Sequence, residues 1–130
     1  IYDCCRCFPQ ITSESLVRES FTAAFAKSQS SVRARYEKRI MEAIPQQVRL
    51  YSCSIGEVSY DTKDGGVYLK NLIQAATNLS SEFKLIGTAH QEAIEPTIRH
   101  SQDNNDGEQH PDAFLPKCLS SQQLIISIRP

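Results

Sequence analysis

One run constrains this chain more than any other: Gln47-Val48-Arg49-Leu50-Tyr51-Ser52-Cys53. It is short, mixes apolar and aromatic side chains with polar ones, and has no glycine or proline inside it, so it reads as a strand. A polar, glycine-containing connection from Ser54 to Gly66 follows. Leu69, Leu72, Ile73 and Ala76 then recur at i, i+3, i+4 and i+7, which predicts an amphipathic helix over roughly Val67 to Thr77. A strand that leads through a loop into such a helix belongs to a sheet flanked by helices.

The rest of the chain fits that scheme. Ile1 to Cys5 looks like the end of a buried strand, broken by Pro9. Thr12 and Ser13 can cap a helix whose inner face holds Val17, Phe21, Ala24 and Phe25. Ser28 to Ser31 reads as a polar break. A second helix follows, with Val32, Tyr36, Ile40 and Ala43 inward and Arg33, Arg35, Lys38 and Arg39 mostly outward, ending before Pro45. Phe83 to Ile86 is a short apolar patch, and Ala89 to Ile98 a weaker helix compromised by Pro96. Residues 100–112, with Asn104-Asn105-Asp106-Gly107, should form an exposed loop. Leu124 to Ile128 is a last short strand. The expected class is α/β, with residues 1–45 holding the first strand and its helices and residues 46–130 the remainder.

Totals exclude several function classes. The 130 residues suit one domain or a large part of one. A net charge of -1 gives no strong pull toward nucleic acid or an anionic membrane. The basic residues between Arg33 and Arg39 are interleaved with Glu37, so they read as a solvated helix face. No apolar run is long enough to cross a bilayer. The five cysteines are odd in number and three are bunched, at 4, 5 and 7, which suits a reducing, cytoplasmic setting better than a disulfide framework.

Two segments can carry chemistry. In Asp3-Cys4-Cys5-Arg6-Cys7, alternation along a strand puts Asp3 and Cys5 on one face. A thiol at the lip of an α/β sheet lies where such sheets bind ligands. It attacks a carbonyl only as a thiolate, which needs a base or a positive neighbour, and Arg6 supplies charge but cannot accept a proton. A buried structural cysteine pair is the competing reading of this run taken alone. A zinc site drawn from the five cysteines and three histidines competes too: Cys4 and Cys7 have Cys-x-x-Cys spacing, but no second such pair occurs and Cys4 and Cys5 point to opposite faces of a strand, so no metal site is assigned. The second segment is Tyr51-Ser-Cys-Ser-Ile-Gly-Glu-Val-Ser59-Tyr60-Asp61, followed by Gly65-Gly66 and the helix. Its glycines lack phosphate-loop spacing.

Together the two segments resemble the caspase, metacaspase and paracaspase clan of cysteine peptidases. Asp3-Cys4-Cys5-Arg6 resembles the catalytic-cysteine strand, being metacaspase-like before Cys5 and caspase-like after it. The run from Tyr51 to Asp61, with Gly-Gly-Val-Tyr-Leu-Lys-Asn-Leu from Gly65 to Leu72, resembles the next strand, the substrate-lining loop and the following helix. The resemblance covers most of residues 1–78. It implies a three-layer caspase-like sandwich, here an incomplete, C-terminal part of one. It implies Cys5 as nucleophile, the backbone of Ser59 pairing with an extended substrate, and Tyr60 walling a neighbouring pocket. Asp61 stands where caspases carry an arginine. With Asp3 and Asp61 flanking one pocket, two carboxylates need a cation, and a substrate arginine or lysine would supply it. The expected activity is cysteine-type endopeptidase cleavage after a basic residue, with a protein or peptide substrate and no cofactor.

The same resemblance places a catalytic histidine about 50 residues upstream of the cysteine. Only four residues precede Cys5, and His90, His100 and His110 all follow it. The missing N-terminal part of the domain is therefore an expected partner, and the chain alone is expected to be close to inert. Arg6 and Phe8 depart from the usual metacaspase pattern, which keeps a non-catalytic scaffold or regulator as the alternative.

Overall fold

The computed structural model describes residues 26–104 and 107–130. The expected cysteine strand, the first helix, Asp3 and Cys5 lie outside the described residues.

The first described helix, α1, runs Ala26–Met41. The expected break at Ser28 to Ser31 is helical instead. No glycine or proline falls in this run, and a serine costs a helix only about 0.5 kcal/mol relative to alanine. Val32, Tyr36 and Ile40 are half-buried, as their spacing predicts, and the Tyr36 hydroxyl donates to the carbonyl of Ile125 at 3.3 Å. Arg39 departs from its expected outward place. Its guanidinium lies 5.2 Å from the centre of the Phe83 ring and donates to the carbonyls of Ser120 and Gln123. An arginine stem covers apolar surface while its head finds acceptors, so it serves as a fastener here.

Strand β1, Arg49–Tyr51, occupies the middle of the expected strand. Leu50 is buried and Arg49 exposed, the alternation of a half-covered strand. Strands β2 (Asp61–Thr62) and β3 (Gly65–Gly66) form a small hairpin around Lys63 and Asp64. Helix α2 spans Val67–Thr77, as the periodicity predicts, but its buried face is rotated. Tyr68, Leu72, Ala75 and Ala76 are buried, whereas Ile73 of the predicted stripe is 56% exposed.

Strand β4, Phe83–Leu85, leads directly into α3, Ile86–Asp103. Pro96 sits inside this helix without ending it. A mid-helix proline costs about 3 kcal/mol through its lost donor and its clash with the preceding turn. Packing against α2 offsets that cost: Ala89, Ala93 and Thr97 are buried on one face of α3. Thr97 is also satisfied, donating to the Ala93 carbonyl and accepting from Asn71 at 3.0 Å. His100, expected in a loop, therefore lies in the last turn of α3.

Strand β5, Asp112–Phe114, falls where a loop was expected to end, and pairs antiparallel with β1 in the register Leu50 to Ala113. After a short 3-10 turn at Ser120–Gln122, strand β6, Ile125–Ile128, pairs antiparallel with β4. Lys84 in β4 is buried, and both oxygens of Glu92 in α3 accept from its ammonium at 2.7 and 2.8 Å. A buried lysine persists only with such a partner.

The chain is thus of mixed α/β class. Among the described residues the strands pair two by two, β1 with β5, β2 with β3 and β4 with β6, rather than in one continuous sheet. The core joins Leu50 of β1 to Tyr68, Leu72 and Ala75 of α2 and to Ala89 and Ala93 of α3. No helix among the described residues is long and apolar enough to cross a membrane.

Candidate functional site

The loop leaving β1 begins with two fully buried residues, Ser52 and Cys53. Their burial anchors one end of the loop, and the Cys53 thiol lies 3.5 Å from the Glu57 carbonyl it donates to. Gly56 turns the chain at φ +86, a conformation that L side chains adopt at a cost. Glu57 then folds back. Its Oε2 accepts from the backbone N–H groups of Ser54 at 3.2 Å and His110 at 2.7 Å, and its Oε1 is 2.7 Å from His110 Nδ1. Ser54 completes the link by donating its hydroxyl to the His110 carbonyl at 3.0 Å.

Burial pushes the Glu57 carboxyl up, but the N–H groups of His110 and Ser54 and the His110 ring outweigh it. The net effect holds the carboxyl below its ordinary value of 4.5, so Glu57 is ionised near neutrality. An ionised carboxylate only accepts, so His110 Nδ1 carries the proton between them.

A second tie runs alongside. Gln109 is fully buried; its Nε2 donates to the Ser52 carbonyl at 2.9 Å and its Oε1 accepts from the Tyr60 N–H at 3.4 Å. One side chain thus grips both ends of the loop. Gly107 has φ +91, and a Cβ there would meet the Tyr60 hydroxyl at 3.0 Å. The close approach of Tyr60 to this segment depends on that missing side chain.

Ser59, Tyr60 and Asp61 lie at the exit of this braced loop. Ser59 and Tyr60 are half-buried and Asp61 is exposed. The Tyr60 carbonyl accepts from the Val67 N–H at 2.9 Å, and Asp61 pairs with Gly66 in the small hairpin. Asp61 makes no ion pair with any described residue. The three residues expected to line a substrate groove are consecutive on one fixed segment. Their distance to Asp3 and Cys5 lies outside what the described residues give.

Of the three histidines, His90 is buried against Tyr68, whose hydroxyl is 2.8 Å from its Nδ1. Burial lowers its pKa, and Asp112 pulls the other way without restoring it. His90 is therefore a neutral core residue. His110 is the histidine at the candidate site, and the sequence assigned it no role.

Glu57, Glu108 and Gln109 were not singled out from the sequence, and His110 was weighed there and assigned no role. One signal was available: in an extended segment residues 108 and 110 share a face and 109 takes the other. The structure follows that rule, with Gln109 buried and Glu108 and His110 turned outward. Among the described residues, Glu57, Glu108 and His110 are the one group whose ligand atoms cluster, all within 4.8 Å of one another. An open groove of about 510 Å³ lies elsewhere, lined by Asn71, Gln74, Glu92 and Pro96 among others, and includes none of the expected site residues.

No protein-family model matches this chain, and no curated protein matches it.

Proposed function

We propose that this chain is part of a cysteine-type endopeptidase domain of the caspase and metacaspase type, which cleaves peptides after a basic residue. In this reading the domain is a caspase-like sandwich, and a segment outside residues 1–130 supplies the histidine base. The Cys5 thiolate attacks the scissile carbonyl, the amine leaves with a proton from the histidine, and water then hydrolyses the thioester. Asp3 and Asp61 hold the substrate arginine or lysine. Ser59 pairs with the substrate backbone and Tyr60 walls the adjoining pocket. The domain works in the cytoplasm on protein or peptide substrates without a cofactor.

The observation that carries the reading is the state of Asp61. Its carboxylate is exposed and makes no ion pair among the described residues. It stands at the end of a loop held by Gln109 and Glu57. An exposed carboxylate on a braced segment attracts a cationic side chain, and a guanidinium binds it with two parallel hydrogen bonds. A substrate aspartate would be repelled at the same spot.

The second reading, a non-catalytic scaffold of the same fold, is favoured by Arg6 and Phe8, which depart from the metacaspase pattern. One assay separates the two. The longer gene product and its Cys5→Ala variant are given peptides that differ only in carrying Arg, Lys or Asp before the scissile bond. Cleavage after Arg or Lys that vanishes with Cys5 is the expected result. Equal rates in both proteins remove Cys5 from the mechanism, and absence of cleavage in both leaves the scaffold.

A further inference from the structure

We propose that Glu57, Glu108 and His110 bind one divalent transition-metal ion of the zinc class, which clasps the loop after β1 to the segment entering β5. The inference stands apart from the peptidase reading, in which Glu57 only braces the loop and Glu108 and His110 have no part.

The three side chains come from two segments that the fold has already tied together. Gln109 is buried and bonded to Ser52 and to Tyr60, on either side of Glu57. That burial forces its neighbours Glu108 and His110 onto the opposite, outer face, above Glu57. The ligand atoms of the three lie within 4.8 Å of one another. Zinc holds nitrogen and carboxylate ligands at about 2.0–2.2 Å, which sets neighbouring ligand atoms roughly 3.3 Å apart. Glu57 Oε1 and His110 Nδ1 are 2.7 Å apart, so they need to open only slightly. Glu108 is exposed and swings inward by rotation of its own side chain.

The second oxygen of Glu57 is fixed from behind. It accepts from the backbone N–H groups of Ser54 and His110, which orient the carboxylate without using its outward oxygen. Such outer contacts hold a metal ligand in place. The ion takes the place of the proton now between His110 Nδ1 and Glu57 Oε1, and the imidazole, ligating through Nδ1, carries its proton on Nε2 instead. Two carboxylates balance the charge of a divalent ion. The His110 side chain is 43% exposed, which leaves room for water as a fourth ligand.

The donor set selects the class of ion. An imidazole nitrogen with carboxylates suits zinc and its first-row neighbours, whereas calcium and magnesium prefer sites built wholly of oxygen. The chain's thiols are the competing ligands, and among the described residues Cys53 and Cys118 do not join this cluster.

The test titrates the chelator-stripped full chain with Zn²⁺ by calorimetry, with Co²⁺ by visible absorption, and with Ca²⁺ in parallel. One Zn²⁺ or Co²⁺ per chain is expected, with no thiolate-to-cobalt band in the near ultraviolet and weaker Ca²⁺ binding. Glu108→Gln, which alters an exposed side chain, should weaken binding at least about tenfold. His110→Ala should abolish it, with circular dichroism showing that the fold persists; Glu108→Gln carries the test if it does not. No binding, binding that both variants leave unchanged, a thiolate band, or preference for Ca²⁺ would each overturn the assignment.

Discussion

Between α2 and α3 the contact is mostly of small and apolar side chains, Leu72, Ala75, Ala89 and Ala93, around the buried Tyr68, with two hydrogen bonds, Tyr68 to His90 and Asn71 to Thr97, beside them. Between the loop after β1 and the segment entering β5 it is made of amides, a carboxylate and an imidazole. The first contact is chiefly non-directional and depends on volume. The second is directional and depends on particular atoms. Helices can be held by either, but a loop has no regular ladder of its own. Its backbone donors and acceptors must be met one at a time. That is why one glutamine and one glutamate, each reaching from its own segment to the other, hold residues 52–60 in place.

The contrast predicts two kinds of failure. Leu72→Ala empties space at the centre of the helix pair, where Leu72 is 1% exposed. A cost of about 3 kcal/mol is expected, because the lost transfer energy is joined by that of the cavity. Urea denaturation of the whole chain reads it, and the loss should be global. A cost under about 1 kcal/mol would show that the helix contact is not the main source of stability.

Gln109→Leu keeps the apolar stem but removes the bonds from Gln109 to the Ser52 carbonyl and the Tyr60 N–H. About 1–3 kcal/mol is expected for the loss of these two buried hydrogen bonds. Here the loss should be local. Amide exchange should quicken at Tyr60 and its neighbours, while α2 keeps its protection. Uniform acceleration across the chain would mean that the two regions unfold as one, and the contrast drawn above would fail.

The two regions also differ in how much the sequence disclosed. Helix α2 was legible from end to end because its periodicity is local, and Gly65 and Gly66 mark its start. Its buried face was misplaced. Tyr68 is drawn inward by His90, and no spacing rule within α2 reports a partner 22 residues away. Strand β5 was invisible because Asp112-Ala113-Phe114 has no strand pattern of its own and exists by pairing with β1. Pro96 misled for a related reason: the packing that offsets it lies on another helix. At the candidate site, Ser59, Tyr60 and Asp61 were reached through resemblance alone. Gln109 and Glu57 escaped notice because their partners lie 49 to 57 residues off along the chain. Long-range polar contacts leave no periodic trace.

The smallest expected effect is the response of the two regions to acid, and it separates them by pH. His90 belongs to the helix contact and is buried beside Tyr68, with Asp112 the charged group acting on it. Its folded pKa lies below the ordinary 6.5. As pH falls below 6.5, the unfolded chain takes up a proton that folded His90 resists, so stability declines from there downward. Glu57 belongs to the loop contact, and its folded pKa lies below the ordinary 4.5. Its contribution is complete above 4.5 and is lost as pH drops from there through the folded value, where the carboxylate finally protonates. Urea midpoints measured from pH 7 to pH 3 in the presence of chelator should therefore fall in two stages. His90→Asn, which keeps a polar group near the Tyr68 hydroxyl without an ionisable ring, should flatten the upper stage only. Glu57→Gln should flatten the lower stage only. If His90→Asn left the slope between pH 6.5 and 4.5 unchanged, the helix contact would owe nothing to the neutrality of that ring. The acid response would then belong wholly to the loop.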